Sequence, residues 1–159
     1  MKLLLLFFLL MPTLAFSQIT AADINKPAFV ISQTKVKGII SFKKGQPAIT
    51  QRFIIDKRKA ENPKFSIADS VAAVKDADEE YTFCDTYSLF FQTNGTVGTG
   101  QDDNFFENGT WEFDEKKQTV SWTDMSGMTN TFAITKPADI IILTAGDGED
   151  SGTEFIEYK

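Results

Sequence analysis

The constraint that most limits this chain is a two-residue rhythm in its second half. Trp111 and Phe113 alternate with Thr110, Glu112 and Asp114; Val120 and Trp122 alternate with Thr119, Ser121 and Thr123; Phe132 and Ile134 alternate with Thr131, Ala133 and Thr135. Side chains of a strand point to opposite faces in turn, so each run has one apolar face to bury and one polar face to leave in water. Turn residues separate the runs: Asp114-Glu115-Lys116-Lys117, Ser126-Gly127, Lys136-Pro137-Ala138-Asp139 and Gly146-Asp147-Gly148. Asn94-Gly95 between two apolar runs is the strongest such signal and predicts a type I′ hairpin turn. Closely spaced short strands of this kind point to an antiparallel sandwich or barrel.

The strands expected are Thr34–Phe42, Ile49–Lys57, Tyr81–Thr93, Thr96–Gly100, Gly109–Asp114, Gln118–Thr123, Met128–Thr135, Asp139–Thr144 and Thr153–Tyr158. In the third, Tyr81, Phe83, Asp85, Tyr87, Leu89 and Phe91 share one parity, which places Asp85 on an aromatic face. One segment departs from the rhythm. Ile67, Val71 and Val74 fall at helical spacing behind Ser66, a good N-cap, so a single short helix is expected there, covering one end of the sheet or barrel.

The amino terminus predicts export. Lys2 precedes nine apolar residues, Leu3 to Met11; Pro12 ends the run, and Ala15-Phe16-Ser17 offers small residues in the pattern a signal peptidase reads. Nine helical residues span roughly 14 Å, about half of a bilayer core, so this segment is too short for a membrane anchor. Residues 1–17 are therefore expected as a signal peptide, 18–33 as a flexible lead-in and 34–159 as the folded domain. Cleavage after Ser17 would remove 17 of 159 residues, leave 142, and change the net charge from -6 to -7 by losing Lys2. A soluble periplasmic or secreted protein is the expected product.

Composition excludes several kinds of chemistry. With no histidine there is no Ser-His-Asp or Cys-His nucleophile and no histidine base. A lone Cys84 forms no internal disulfide, and without histidine no zinc site can be assembled from the usual ligands. An excess of 22 acidic over 16 basic residues disfavours nucleic acid as a partner. Asp147-Gly148-Glu149-Asp150-Ser151-Gly152 imitates the start of a calcium loop, but its twelfth position is Tyr158 instead of a bidentate Glu. An acidic hairpin turn is the expected reading, as for Asp102-Asp103-Asn104, so neither metal nor cofactor is expected. Asp85 has no second acid as a partner for glycoside chemistry. No phosphate-loop or Gly-x-Ser-x-Gly motif occurs.

A helix leading to Cys84 is followed by Phe91-Gln92-Thr93-Asn94-Gly95-Thr96, then Gly109-Thr110-Trp111, then a closing series of hairpins. Over roughly Lys35 to Ala145 this order resembles the lipocalin-like domains of small exported bacterial proteins. It departs from them at Gly38-Ile39-Ile40, where a Gly-x-Trp is common, and in lacking a second cysteine. The resemblance implies an up-and-down antiparallel β-barrel of eight to nine strands. A barrel of that size either fills with side chains or holds one small ligand, and both alternatives are open here.

The candidate interior positions are Tyr87, Leu89, Phe91, Trp111, Phe113, Trp122, Phe132 and Ile134, with Asp85 as an inward carboxylate able to orient a polar ligand group. Phe105 and Phe106, in a polar loop, are candidates for an entrance or a partner contact. Cys84 is expected to be buried. The functional expectation is a non-enzymatic barrel binding a small apolar or amphipathic molecule. The alternative is an exported protein-interaction module, an inhibitor or envelope-assembly component, with a filled barrel and active loops.

Overall fold

In the computed structural model the chain is described over residues 18–25, 28–101, 104–146 and 151–158. The expected signal peptide and the acidic stretches 102–103 and 147–150 lie outside the described residues. The elements are α1 (Ala21–Ile24), β1 (Ala28–Val36), β2 (Ile39–Lys43), α2 (Pro47–Glu61), α3 (Ile67–Thr86), β3 (Tyr87–Phe91), β4 (Thr96–Gln101), β5 (Asn104–Asp114), β6 (Thr119–Thr123), β7 (Thr129–Thr135), β8 (Ile142–Ala145) and β9 (Gly152–Tyr158).

Strands β3 to β9 pair with their sequence neighbours, all antiparallel, and β1 joins β3 to β9. The result is a closed eight-stranded up-and-down barrel. β1 is shared three ways. β9 lies along one edge; on the other, Phe29 and Val30 pair with Leu89 and Ser88 of β3, while Gln33 to Val36 pair with β2. β2 is thus a ninth strand that carries the β1 hairpin beyond the barrel wall.

Alternation works as the sequence predicts. Across neighbouring strands Leu89 faces Thr99, Trp111 faces Trp122, Phe113 faces Val120, Val120 faces Phe132, Ile134 faces Leu143 and Leu143 faces Phe155. Closure adds Phe29 opposite Leu89 and Ile31 opposite Phe155. The end near Gln118 is stopped by α1, whose Ile24 is buried together with Ile19. Gln118 holds this plug through its side chain, accepting from the Ile19 amide at 3.1 Å and donating to the Ile19 carbonyl at 3.2 Å.

Several elements differ from expectation. Residues 18–33, expected as a lead-in, contribute the plug and much of β1. Thr34–Phe42 is not one strand: Lys37 and Gly38 both take positive φ (51° and 77°) and fold it into a two-residue hairpin. Ile49–Lys57 is not a strand but most of α2, which starts on Pro47 at its first turn and ends at Asn62, the residue before Pro63. Its β-branched and aromatic residues suit a strand, but Thr50, Phe53, Ile54 and Lys57 fall on one helical face.

Helix α3 is longer than the short helix expected there. It runs to Thr86 and takes in Tyr81, Phe83 and Asp85, so their shared parity is not that of a strand face. Ile67 and Val71 are 86% and 68% exposed, and the buried positions are instead Ala73, Ala77 and Cys84. Small residues on that face allow a close approach. The cap itself is as expected: the Ser66 hydroxyl accepts from the Asp69 amide, and the Asp69 carboxylate accepts from the Ser66 amide at 2.7 Å. These hydrogen bonds from Ser66 hold the Asp69 carboxyl below its ordinary range.

Turn chemistry is refined at one site. Only Gly95 has positive φ in the Asn94-Gly95 turn, and its amide donates to the Gln92 carbonyl, so this is a type I turn followed by a glycine bulge. Asp124–Gly127 repeats that geometry.

Candidate functional site

Inside the barrel the aromatic positions meet one another. The Phe91 ring lies 5.8 Å from Phe29, 5.4 Å from Trp111 and 6.4 Å from Phe132, mostly edge to face; Phe132 lies 5.8 Å from Phe155. Leu89, Phe91, Phe132 and Ile134 are buried, and Tyr87, Trp111, Phe113 and Trp122 pack against them. Both indole N–H groups are spent on the wall: Trp111 donates to the Gln92 carbonyl at 2.8 Å and Trp122 to the Asn108 carbonyl at 2.7 Å. Burial pushes the Tyr87 phenol up, an effect opposed by the nearby Thr99 hydroxyl. Eight of the nine interior candidates are therefore brought together, as packing.

The ninth, Asp85, is elsewhere. It sits on the last turn of α3, accepts from Lys44 Nζ at 3.2 Å and faces the Tyr81 hydroxyl at 3.4 Å, which in turn accepts from the Gly45 amide. This clasp ties the end of β2 to α3. Phe105 and Phe106 are in β5, not in a loop. Phe105 stands edge-on to Phe90 at 4.5 Å, beside Gly100, where an added Cβ would strike its ring and the Asn104 backbone. Phe106 is 69% exposed. Cys84 is buried as expected, and burial, helped by the nearby Glu80 charge, pushes its thiol up to about 11.

An apolar recess lies outside the barrel, between the β1–β2 hairpin and α2. It measures about 600 Å³. Val36, Ile39 and Phe42 line it from the hairpin, Phe53 and Ile54 from α2; Lys37, Asp56, Lys57, Glu61 and Glu80 line it as well. Its root is tight, with Phe42 buried and its ring tilted against that of Tyr81 at 5.3 Å. Toward the hairpin tip it opens, leaving Ile39 60% exposed.

Thr50 lines this groove. It is 1% exposed, and its hydroxyl has no hydrogen-bond partner among the described residues. Threonine inside a helix usually turns its hydroxyl back onto its own helix. Thr82 and Thr86 do so here, donating to the Asp78 and Thr82 carbonyls at 2.7 and 2.8 Å. Thr50 does not; the Gln46 carbonyl one turn back accepts from the Ile49 amide. An unpaired buried hydroxyl costs about 1–3 kcal/mol.

Sequence reasoning missed the groove because both of its walls were misread. Pro47 followed by Thr50, Phe53, Ile54 and Lys57 at helical spacing was the signal available.

No family model and no curated protein matches this chain. Among solved structures, a DUF4847 family protein from Bacteroides vulgatus ATCC 8482 is similar over 84% of this chain and 94% of that chain, at 14% sequence identity and a TM-score of 0.49.

Proposed function

We propose that this is an exported, non-enzymatic, lipocalin-like binding protein. In this reading the barrel is a rigid scaffold, and a small amphipathic molecule lies in the groove between α2 and the β1–β2 hairpin. The observation that carries the reading is the groove itself, about 600 Å³ with apolar walls. Small-molecule sites have this make-up, mostly apolar with few placed polar groups, and this range of volume. The packing of the aromatic interior favours the flank over the lumen, the position expected from sequence, as the place for such a ligand. A non-enzymatic role is supported by the absence of histidine from the chain.

Export rests on the amino-terminal sequence. Among the described residues no helix is long and apolar enough to cross a membrane. Cell fractionation with mass measurement of the product checks this part of the proposal: a chain beginning at Gln18 outside the cytoplasm is expected. An intact amino terminus retained in the cytoplasm overturns it.

Native mass spectrometry of protein purified from its own host tests binding. A co-purifying small molecule that is lost in Ile54→Arg is expected. A molecule retained by that variant, or none in the wild type, counts against the groove.

A second reading has its own support. Phe106 is 69% exposed, with Met125 and Met128 also largely exposed in the described loops, which suits contact with a protein partner. Pull-down from envelope fractions, repeated with Phe106→Ser, separates this role from small-molecule binding.

A further inference from the structure

Resting on the proposed cleavage after Ser17, we propose that Gln18 is a modification site. The new amino terminus closes on its own side chain to a pyroglutamyl lactam, a neutral cap on the plug that stops one end of the barrel.

The fixed part of the fold begins one residue after the scissile bond. Ile19 is 3% exposed, and the Gln118 side chain clamps its main chain on both sides, accepting from the amide at 3.1 Å and donating to the carbonyl at 3.2 Å. Gln18, in contrast, is exposed and outside any helix or strand, and no described residue holds its side chain. Cleavage therefore leaves an amine and a carboxamide on one residue, in water. An α-amino group of ordinary pKa, about 7.7–8.0, is partly neutral and hence nucleophilic near neutral pH. Its nitrogen attacks the side-chain Cδ. The N–Cδ bond of a five-membered ring forms, the Cδ–Nε2 bond breaks, and one α-nitrogen proton passes to the departing nitrogen, which leaves as ammonia. All the reacting atoms lie upstream of the Gln18 carbonyl, so the ring closes without disturbing either hydrogen bond of the Ile19 clamp.

The place of the cap gives it a role. Gln18 with a free amine is a substrate for aminopeptidases, and its loss would turn the clamped Ile19 amide into an ammonium. That charge must stay hydrated beside a buried side chain, which weakens the docking of the plug. The lactam offers those enzymes no amine and removes the terminal charge.

Tandem mass spectrometry of the amino-terminal peptide tests this, on the full chain expressed in its own host. Free amines are labelled at lysis, so that ring closure during purification is not counted. The expected peptide begins at residue 18, lacks one ammonia and carries no label on its terminus. An intact, labelled Gln18 overturns the inference and leaves export standing. A chain that begins at Met1, or at any residue other than 18, removes the proposed cleavage and this inference together. For the role, mature wild type and Gln18→Ala are exposed to a broad-specificity aminopeptidase. Wild type should stay intact, while the variant is trimmed into the plug and its Tm falls. Prior treatment with pyroglutamyl peptidase should bring the same loss to wild type. Equal trimming of the two untreated proteins, or a Tm indifferent to the loss of residue 18, overturns the protective role.

Discussion

The barrel lumen and the flank groove are both apolar, yet they are built to opposite ends. In the lumen every large side chain has found a neighbour, and even the indole N–H groups are satisfied by backbone carbonyls. In the groove Ile39 and Val36 are exposed and a buried hydroxyl has no partner. Apolar surface alone therefore does not tell how far packing has been completed. The lumen stabilises the molecule, while the groove leaves apolar surface uncovered.

Truncation should separate the two regions most strongly. Phe91→Ala is expected to cost about 3–5 kcal/mol in urea denaturation, since it removes the ring at the centre of the aromatic cluster. Ile39→Ala, on an exposed groove wall, should stay within about 0.5 kcal/mol. Comparable losses would mean that the groove is part of the core. The plug tests the lumen's closed end: Ile24→Ala, a buried position, should cost about 2–5 kcal/mol by the same measurement.

An effect of opposite sign is expected at the groove root. Thr50→Val replaces an unpaired hydroxyl with a methyl group and should raise the stability of the ligand-free protein by about 1 kcal/mol. A loss instead would show that the hydroxyl is satisfied in solution.

The mildest test uses pH. The folded Cys84 thiol is raised from 9.0 to about 11, so the unfolded chain gives up its proton first. Its contribution is fully present below pH 9 and is lost as pH rises toward 11. Stability should decline more steeply over that window in wild type than in Cys84→Ala. Parallel curves would show that the thiol is not held neutral by the fold.

The barrel was largely legible from sequence because half-buried strands must alternate. Trp111–Phe113, Val120–Trp122 and Phe132–Ile134 have to face one way whatever else the chain does. The helical hairpin was not, because its side chains serve two periodicities. Ile49, Phe53 and Ile54 suit a strand by type and a helix by spacing, and the outcome is set by the Pro47 start and by packing against β2. Tyr81 to Asp85 alternate by coincidence while lying on a helix whose buried positions are Ala73, Ala77 and Cys84, small residues that carry little pattern. Lys37 at positive φ hid the first hairpin, because lysine gives no turn signal. The groove lies between two such misread elements, and a cavity between elements leaves no trace in either one alone.

The shared strand β1 also bears on how the molecule assembles. Most walls of the barrel are hairpins between sequence neighbours, but the last seam joins Ala28 to Tyr158 and Phe29 to Glu157, from opposite ends of the domain. Bringing such distant segments together is entropically the slowest kind of contact to form. The hairpins from β3 to β9 can zip in order, whereas the cylinder closes only once β1 arrives. Until then the edges of β9 and β3 stay unpaired, so the aggregation hazard of this chain is concentrated in the interval before its first strand docks.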